Sequence, residues 1–419
     1  MEPVRAILLG AGSRGQFTYA EFAKNNPTLL KIVAVADTDP VRRKAVQDAH
    51  GISDGYSFSS WEEAFDAKVP ADAVIIALQD KMHVAPIIAG MKRDLHILCE
   101  KPIAPTLEEC MRLEAASRGY NKVFVIAHVL RYTNFFTTVK GLLDSGRIGK
   151  LIGIEHNENV GHVHMSHSFV RGNWRNKAES SPMILAKSCH DMDILLWLAG
   201  ADCLSLTSFG SLNYFNAEHA PEGAPMRCLD GCPCAESCPF NAQKIYLGKW
   251  TGWPVNVISN DLSLEGRLSA LKTSPYGRCV FHCDNDVVDH QSVSLRFANG
   301  VTASFIMTAF SMTTHRNIRL VGTNGEILGD MEDNSIEVRQ FSSGSIERIT
   351  VTHLESGHAG GDPNLIADFA RLAQAGGRSG RTSLLQSIQS HVMAFAAEES
   401  RLKGGALVDI EDFRSSHRA

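Results

Sequence analysis

The segment AKSCHDMD, residues 186–193, places Lys187, His190 and Asp193 at three-residue intervals ahead of the apolar run ILLWLAG. On a helix, this spacing puts the three polar side chains on one face. The other side would carry the apolar stripe of an amphipathic helix, formed by Leu185, Cys189, Met192 and Leu196. The segment is therefore either an ordinary amphipathic helix or one wall of an active site.

A glycine-rich loop, GAGSRG, follows the apolar strand VRAILL and opens a predicted helix. In this context the pattern is a dinucleotide-binding fingerprint. Gly10 permits the tight turn, Gly12 lets the backbone approach a pyrophosphate, and Gly15 lets the helix lie against the strand. The free N–H groups of the helix N-terminus would face the phosphates.

Asp37 ends the second predicted strand, at the distance from the glycine loop that the fingerprint requires. Its carboxylate can accept hydrogen bonds from the adenosine ribose and would repel a 2′-phosphate, so the sequence favours NAD as cofactor. Arg42 and Arg43 lie close behind Asp37, so NADP remains the alternative.

Lys101 follows the apolar strand HILC, within the segment EKP. Ligands of open parallel sheets bind outside the carboxyl ends of the strands, so we place Lys101 at the cofactor crevice. Its ammonium can hold a substrate hydroxyl through a charge-assisted hydrogen bond, or help a proton leave as a hydride goes to nicotinamide. The alternative is a surface lysine in a loop between a strand and a helix.

The elements that would position these residues alternate between strand and helix over the first part of the chain, which indicates a parallel sheet. The predicted strands are 4–9, 31–36, 74–78, 96–99 and 123–127, and the predicted helices are 14–24, 41–49, 83–91 and 107–118. We therefore predict an α/β Rossmann domain at residues 1–130.

For residues 131–419 we predict an α+β domain with a mostly antiparallel sheet. Its hairpin signals are Asn299-Gly300 and Asn324-Gly325. We expect an irregular, cysteine-rich insertion near 211–280 and helices near 363–375 and 382–402, the last of which would pack back on the Rossmann domain. Asp362 is predicted to cap the first of these helices.

The composition and net charge of the chain argue against two classes of binding partner. The 419 residues carry a net charge of −5 without a basic block, which argues against nucleic acid or an anionic membrane as partner. No apolar run approaches the length of a membrane span, and the N-terminus MEPVRAILLGAG does not read as a signal peptide. We expect a cytoplasmic protein.

In combination, GAGSRG, Asp37, His83, EKP (100–102) and HDMD (190–193) resemble the Gfo/Idh/MocA family of NAD(P)-dependent oxidoreductases. The resemblance covers essentially the whole chain and implies a C-terminal domain with a large open sheet, often packed into a homodimer or homotetramer. We predict further cofactor contacts from the loops of the parallel sheet: Ser13, Arg14, Leu78, His83, Glu100 and Lys101.

The resemblance also implies that Lys101 polarises the substrate and that His190 is the general base. Ala186 departs from the family, which commonly carries an aspartate at this position. Lys187 joins the predicted catalytic residues, either because it disfavours the imidazolium form of His190 or because it binds an anionic substrate group. Asp191 or Asp193 would orient the imidazole.

Other substrate-binding candidates surround these motifs. They are Arg131, His164, His167, Arg175, Asp193 and His290. For Arg131 the alternative is a structural ion pair, and for the histidine-rich loop 161–175 it is a solvated loop. Aromatic and cationic loops of this kind suit sugars or acidic sugars.

A cluster of cysteines, CLDGCPCAESC, has neither the zinc-ribbon nor the ferredoxin spacing. Free thiols or a labile disulfide are the first interpretation of Cys228, Cys232, Cys234 and Cys238. A structural zinc ion is the second, and an iron–sulfur cluster is the third. Cys279, His282 and Cys283 would join such a site only if the fold brings them close.

Three functions stay open at this point. The first is an NAD-dependent dehydrogenase of a sugar, cyclitol or related polyol. The second is a redox-neutral glycoside hydrolase or lyase that oxidises its substrate transiently with bound NAD. The third is a non-catalytic, nucleotide-binding regulator, against which the presence of both Lys101 and His190 argues.

Overall fold

Short runs rich in Val, Ile and Ala form a parallel sheet in the first part of the chain. The computed structural model describes residues 2–352, 357–377 and 380–417. Within them, this sheet has the strand order β3-β2-β1-β4-β5-β6, and each neighbouring pair is parallel. Its strands are β1 Val4–Leu9, β2 Leu30–Ala36, β3 Ser57–Phe58, β4 Ala73–Ile76, β5 His96–Cys99 and β6 Phe124–Ile126.

Helices cover both faces of this sheet, because the strands are apolar on both sides. Local signals define the helix starts: the side chains of Asp39 and Thr106 accept hydrogen bonds from the first-turn amides of α2 and α5. The helices are α1 Glu21–Asn25, α2 Pro40–His50, α3 Trp61–Asp66, α4 Val84–Lys92 and α5 Leu107–Ala116. The predicted helix 14–24 is a π-helical turn, Gly15–Ala20, that continues into α1.

The second sheet is large and mostly antiparallel, as expected. In the described residues its order is β14-β13-β12-β11-β7-β10-β9-β8-β15, and only β7 and β10 pair in parallel. Its strands are β7 Leu151–Asn159, β8 Cys203–Ser211, β9 His290–Phe297, β10 Thr302–Thr308, β11 His315–Gly322, β12 Gly325–Asp330, β13 Ser335–Gln340, β14 Ile346–Thr350 and β15 Val408–Asp409. The two Asn-Gly steps lie in the β9–β10 and β11–β12 connections, as predicted.

Alternating side chains give this sheet one buried and one exposed face. In β10, for example, Phe305 is fully buried while Ile306 is 50% exposed. The helices of the second half are α6 Asn134–Asp144, α7 His162–His164, α8 Met183–Ala186, α9 Cys189–Ala199, α10 Ala242–Tyr246, α11 Val255–Ile258, α12 Leu264–Thr273, α13 Gly361–Gln374, α14 Leu384–Leu402 and α15 Ile410–Ser415. Of these, α6, α8, α9 and α14 contribute side chains to the core on the buried face, whereas α13 packs into a core of the parallel sheet.

The insertion is more ordered than its sequence suggests. Between β8 and β9 the chain forms α10, α11 and α12, and their apolar side chains share a small core of their own. These helices are five, four and ten residues long, too short for a helical period to stand out among the glycines, prolines and cysteines.

Helix α14 contributes side chains to the cores of both halves. Leu384, Ile388 and Val392 belong to the core beneath the parallel sheet, whereas Met393 and Ala397 belong to the core of the second half. No helix among the described residues is long and apolar enough to cross a bilayer.

We expect the buried face of the second sheet to dominate its stability. Phe305→Ala removes a ring that is 0% exposed and should lower the free energy of unfolding by about 3–5 kcal/mol. Ile346→Ala in edge strand β14, at a side chain 52% exposed, should change it by less than about 0.5 kcal/mol. Urea denaturation followed by circular dichroism measures both, and equal effects would contradict this assignment of faces.

Candidate functional site

The glycine loop has the geometry that its spacing predicts. Gly10 has a φ of +92°, and a Cβ there would lie 2.4 Å from the carbonyl oxygen of Ala77. A Cβ on Gly15 would lie 1.9 Å from the carbonyl oxygen of Gly10. A Cβ on Gly12, in contrast, would meet no atom within 4 Å. The chain therefore needs the first and third glycines for its own packing, whereas Gly12 faces open space that a pyrophosphate can enter.

Asp37 is held at the carboxyl end of β2. Its carboxylate accepts hydrogen bonds from the backbone N–H groups of Ala11 at 2.6 Å and Asp39 at 2.8 Å. Arg42 pairs with Asp39 at 3.4 Å, and Arg43 donates to the carbonyl oxygen of Asp37. The carboxylate is thus fixed beside the glycine loop, where the adenosine ribose of a dinucleotide would lie.

Arg14 and Glu100, predicted as cofactor contacts, are bound to each other. Nε of Arg14 donates to Oε1 of Glu100 at 2.6 Å, and Nη2 donates to Oδ1 of Asp362 at 2.6 Å. Asp362 also accepts from His358 at 2.9 Å. It therefore does not cap α13, whose N-cap position is Gly360. Burial opposes ionisation of Asp362, but His358 and Arg14 hold its pKa below the ordinary value.

His83 positions the EKP loop. Its ring nitrogens lie 2.7 Å from the carbonyl oxygen of Pro102 and 3.0 Å from that of Leu78. The ring is buried and links the ends of two neighbouring strands. This geometry makes His83 a support of the loop that carries Lys101, while Ser13 is exposed at the glycine loop.

Lys101 and His190 meet at the carboxyl edge of the parallel sheet. Nζ of Lys101 donates to the carbonyl oxygen of Ala186 at 2.8 Å and lies 6.0 Å from the centre of the Trp174 ring. His190 is 4% exposed. Burial, followed by the positive charge of Lys101, lowers the pKa of His190 well below its ordinary value. The imidazole is therefore neutral at physiological pH, as a general base must be.

Lys187, which precedes α9, belongs to a group of buried charged side chains that pack against this helix. Its Nζ lies 3.1 Å from Oε1 of Glu158. Arg316 pairs with both Glu158 and Asp191, the latter at 2.7 Å, and His156 lies 2.8 Å from Asp191. Burial and then Lys187 lower the pKa of His164. Among the nearby cations, Lys101 lowers the pKa of His190 the most. Lys187, which was predicted to lower the pKa of His190, instead lowers that of His164.

Arg131 and Asp193 form a buried ion pair. Nε and Nη2 of Arg131 donate to the two carboxylate oxygens at 2.7 and 2.6 Å, and both side chains are nearly inaccessible. This bidentate contact corrects the prediction that either residue binds substrate, because each satisfies the charge of the other. It also leaves the imidazole of His190 without Asp193 as orienting partner.

The histidine-rich loop is a packed wall. His164 lies 4.8 Å from the ring of Trp253, and His167 stacks on Tyr276 at 4.8 Å and bonds to the hydroxyl of Tyr246 at 2.8 Å. Burial lowers the pKa of His167 to about 3. These two residues therefore do not lie in a solvated loop. Besides burial, Lys101 and Arg316 lower the pKa of both His164 and His190.

Arg175 and His290 lie apart from this group. Arg175 pairs with Asp284 at 2.9 Å and with Glu179 at 2.8 Å. His290 is 43% exposed at the start of β9 and lies 2.8 Å from Asp289. Neither contacts Lys101 or His190 in the described part of the chain, so both predictions remain without structural support.

All ten cysteines are free thiols. In residues 2–352, 357–377 and 380–417, no group of three or more His, Cys, Asp or Glu side chains is placed to hold a metal ion. The zinc ion predicted for Cys228, Cys232, Cys234 and Cys238 is therefore not supported.

Several residues of the site were missed from sequence. His128 comes directly after the predicted strand 123–127, two residues beyond the end of β6, and its ring lies 5.9 Å from that of His190. A polar residue immediately after a parallel strand was the available signal. Glu158 in β7 and Arg316 in β11 each stand between two polar residues, so the sequence pattern alone could not show that these charges are buried.

Both halves of the chain match models of a known protein family. The family model described as "oxidoreductase family, NAD-binding Rossmann fold" matches residues 4–128. The model described as "oxidoreductase family, C-terminal alpha/beta domain" matches residues 140–409. Together they cover most of the sequence.

Relatives agree with these matches. The chain is 27% identical over 360 residues to the candidate oxidoreductase YteT of Bacillus subtilis, with 82% of each chain covered. It is 31% identical to inositol 2-dehydrogenase 2 of Saccharopolyspora erythraea over 42% of this chain and 49% of the relative, about half the length of that protein. A levoglucosan dehydrogenase solved with NADH and levoglucosan has the same fold, with a TM-score of 0.71, 19% identity and coverage of 98% and 100%.

The open space at Gly12 provides a test of the cofactor site. Gly12→Leu should leave the melting temperature unchanged and weaken NAD binding at least tenfold, about 1.4 kcal/mol, because a Cβ at this position meets no protein atom within 4 Å and the side chain would extend into the space for the pyrophosphate. Gly141→Leu, at another open position on α6, is the control and should bind NAD normally. Calorimetric titration measures both, and normal NAD affinity in Gly12→Leu would place the cofactor elsewhere.

Proposed function

Because the chain belongs to the Gfo/Idh/MocA family of oxidoreductases, we propose that it transfers a hydride between NAD and a secondary alcohol carbon of a sugar, cyclitol or related polyol. One observation carries this proposal. A buried, neutral His190 and the ammonium of Lys101 lie together at the carboxyl edge of the parallel sheet, where ligands of such folds bind.

His190 is the proposed general base. Loss of a hydride from a carbinol carbon leaves a carbonyl only if the hydroxyl proton also departs, and a neutral imidazole can accept that proton. Nδ1 of His190 is buried and has no hydrogen-bond partner among the described residues. Its pKa is lowered by burial and then by Lys101, which keeps it in the accepting form below neutral pH.

Lys101 is the proposed electrostatic anchor. Among the described residues its ammonium has one acceptor, the carbonyl oxygen of Ala186, and it carries three N–H donors. A remaining donor can hold the substrate hydroxyl and stabilise negative charge on that oxygen as the proton leaves.

The residues around the crevice fit NAD. The open space at Gly12 can admit a pyrophosphate, and the fixed carboxylate of Asp37 can accept from ribose hydroxyls. When bound, the nicotinamide supplies the hydride acceptor. Asp37 favours NAD over NADP because a 2′-phosphate beside a carboxylate is repelled.

The polyol substrate class rests on the walls of the crevice and on the relatives. Trp174 and Trp253 flank Lys101 and His164, which offers aromatic surface beside hydrogen-bonding groups. The relatives include an inositol dehydrogenase and a levoglucosan dehydrogenase, both named for polyhydroxylated ring compounds.

We further propose that two copies of the chain associate through the exposed face of the second sheet. Apolar side chains stand on that face, each at least 40% exposed: Ile152, Leu204, Phe209 and Ile306. An apolar patch of this kind on a sheet is typical of a homo-oligomer interface.

Loss of either catalytic group should abolish most of the activity. A panel of sugars and cyclitols, assayed by NADH absorbance with NAD and with NADP, identifies the substrate. On that substrate, Lys101→Met and His190→Asn should each lower kcat/KM by about 10²–10⁴. As the pH is lowered, the residual activity of Lys101→Met should begin to fall at a higher pH than that of the unaltered chain. The reason is that removal of this cation raises the pKa of His190.

Lys122→Met and His219→Asn, at positions outside the site, are the controls and should retain activity. Full activity of Lys101→Met on an identified substrate would refute this mechanism. Product formation without stoichiometric NADH would instead indicate transient oxidation by bound NAD.

The proposed interface predicts a change of mass. Phe209→Glu combined with Ile306→Glu should convert the oligomer to a monomer in analytical ultracentrifugation, because two charges would be buried without partners. Leu385→Glu, at a side chain of α14 that is 56% exposed, should leave the mass unchanged. A native chain that sediments as a monomer would contradict the proposal.

A further inference from the structure

The segment GHAGGD, residues 357–362, brings a second histidine close to the candidate base. The ring of His358 lies 5.9 Å from that of His190, and the two ring planes are inclined by 55°. His190 is 4% exposed, whereas the side chain of His358 is 41% exposed. His358 therefore neighbours the buried base and is in contact with solvent at the same time.

An unusual backbone turn holds His358 in this place. His358 and Ala359 have φ angles of 49° and 51°, in the left-handed region that residues other than glycine seldom adopt. The turn packs tightly at Gly361, where a Cβ would lie 2.5 Å from the carbonyl oxygen of Val129. Because such conformations persist only where the surrounding structure imposes them, and cluster at active sites, the turn suggests a functional role for His358.

Asp362 orients the imidazole of His358 and supplies it with a counter-ion. Nδ1 of His358 lies 2.9 Å from Oδ2 of Asp362, whose side chain is 3% exposed. A carboxylate only accepts hydrogen bonds, so Nδ1 carries the proton and Nε2 of the neutral ring is left as an acceptor. Arg14 is shared between Asp362 and Glu100, so one guanidinium faces two carboxylates. A protonated His358 would balance the second carboxylate.

The other histidines of the site lack these two features. No carboxylate in the described part of the chain contacts His190, and the nearby cation Lys101 opposes a positive charge on its ring. His128, the second ring beside His190, is fully buried, and neither of its nitrogens has a hydrogen-bond partner among the described residues. A proton that moves from His190 to His358 therefore reaches a ring with both a counter-ion and access to solvent.

We propose that His358 takes the substrate proton from His190 and passes it to solvent, an inference that rests on the proposed function. In the oxidation, the hydroxyl O–H bond breaks and its proton binds His190, while a hydride leaves the carbinol carbon for nicotinamide. The proton then passes through a water molecule to Nε2 of His358 and on to bulk water, which leaves both rings neutral. The 5.9 Å between the rings is a separation that one hydrogen-bonded water can bridge.

The variant His358→Asn separates this relay from a structural role. Asparagine has an amide N–H in the place of Nδ1, so it can still donate to Asp362, and it tolerates left-handed backbone. It has no nitrogen in the place of Nε2. On the substrate identified by the panel, the single-turnover rate of NADH formation should fall about 10–10²-fold, less than the loss of a direct base. Affinity for NAD and KM should stay unchanged, and imidazole added to the buffer should restore the rate in proportion to its concentration.

His219→Asn is the matched control, because His219 is an exposed histidine whose Nδ1 lies 2.9 Å from a side-chain oxygen of Asn216. It should keep the full rate. An unchanged rate in His358→Asn would overturn the relay, and so would a loss that imidazole does not restore, which would make the role of His358 structural. In both cases the unaltered chain still turns over. An unaltered chain that converts no compound of the panel would instead overturn the proposed function, and the relay with it.

Discussion

The hydrogen bond from the Lys101 ammonium to the carbonyl oxygen of Ala186 joins the two halves of the candidate site. Lys101 is fixed by the loop after β5, and Ala186 ends the short helix that leads into α9. This contact places a cation near a buried histidine, and the pKa of His190 is lowered first by burial and then by that cation. The glycine loop, the EKP loop and α9 must all be in position before the contact can form, so the chemistry of the site depends on the whole interface between the two sheets.

The same interface is stabilised by charges that cancel in pairs. Arg131 is bound to Asp193, and Arg14 is bound to Glu100 and Asp362. Behind α9, the two cations Lys187 and Arg316 face the two carboxylates of Glu158 and Asp191. Breaking a buried pair leaves an uncompensated charge and is strongly destabilising. Lys101 has no such carboxylate partner among the described residues, so it is the cation in this region that remains free to act on a substrate.

The sequence predicts those features of the structure that depend on residues close together along the chain. The fingerprint glycines, Lys101, the Asn-Gly turns and most helix limits follow from local spacing, and the structure agrees with them. Pairings across the fold were not accessible: Arg131 and Asp193 are 62 residues apart, and Arg14 and Asp362 are 348 apart. No periodicity indicates that two such side chains meet, so residues that neutralise each other were predicted to face ligands. Strand β8 was missed because Ser, Thr and Gly interrupt its apolar alternation.

Ala186 explains why this arrangement differs from the one that the family resemblance implies. Without an aspartate there, the carboxylates nearest in sequence to His190 are Asp191 and Asp193, and both are occupied by arginines. No carboxylate contacts His190 in the described structure. An imidazolium formed by proton transfer would therefore stand beside Lys101 without an anion to stabilise it, which opposes its accumulation. On the proposed mechanism the proton must therefore leave His190 again. Two rings lie 5.9 Å from that of His190: His128 is fully buried, and burial lowers its pKa, whereas His358 is 41% exposed and faces the route to solvent.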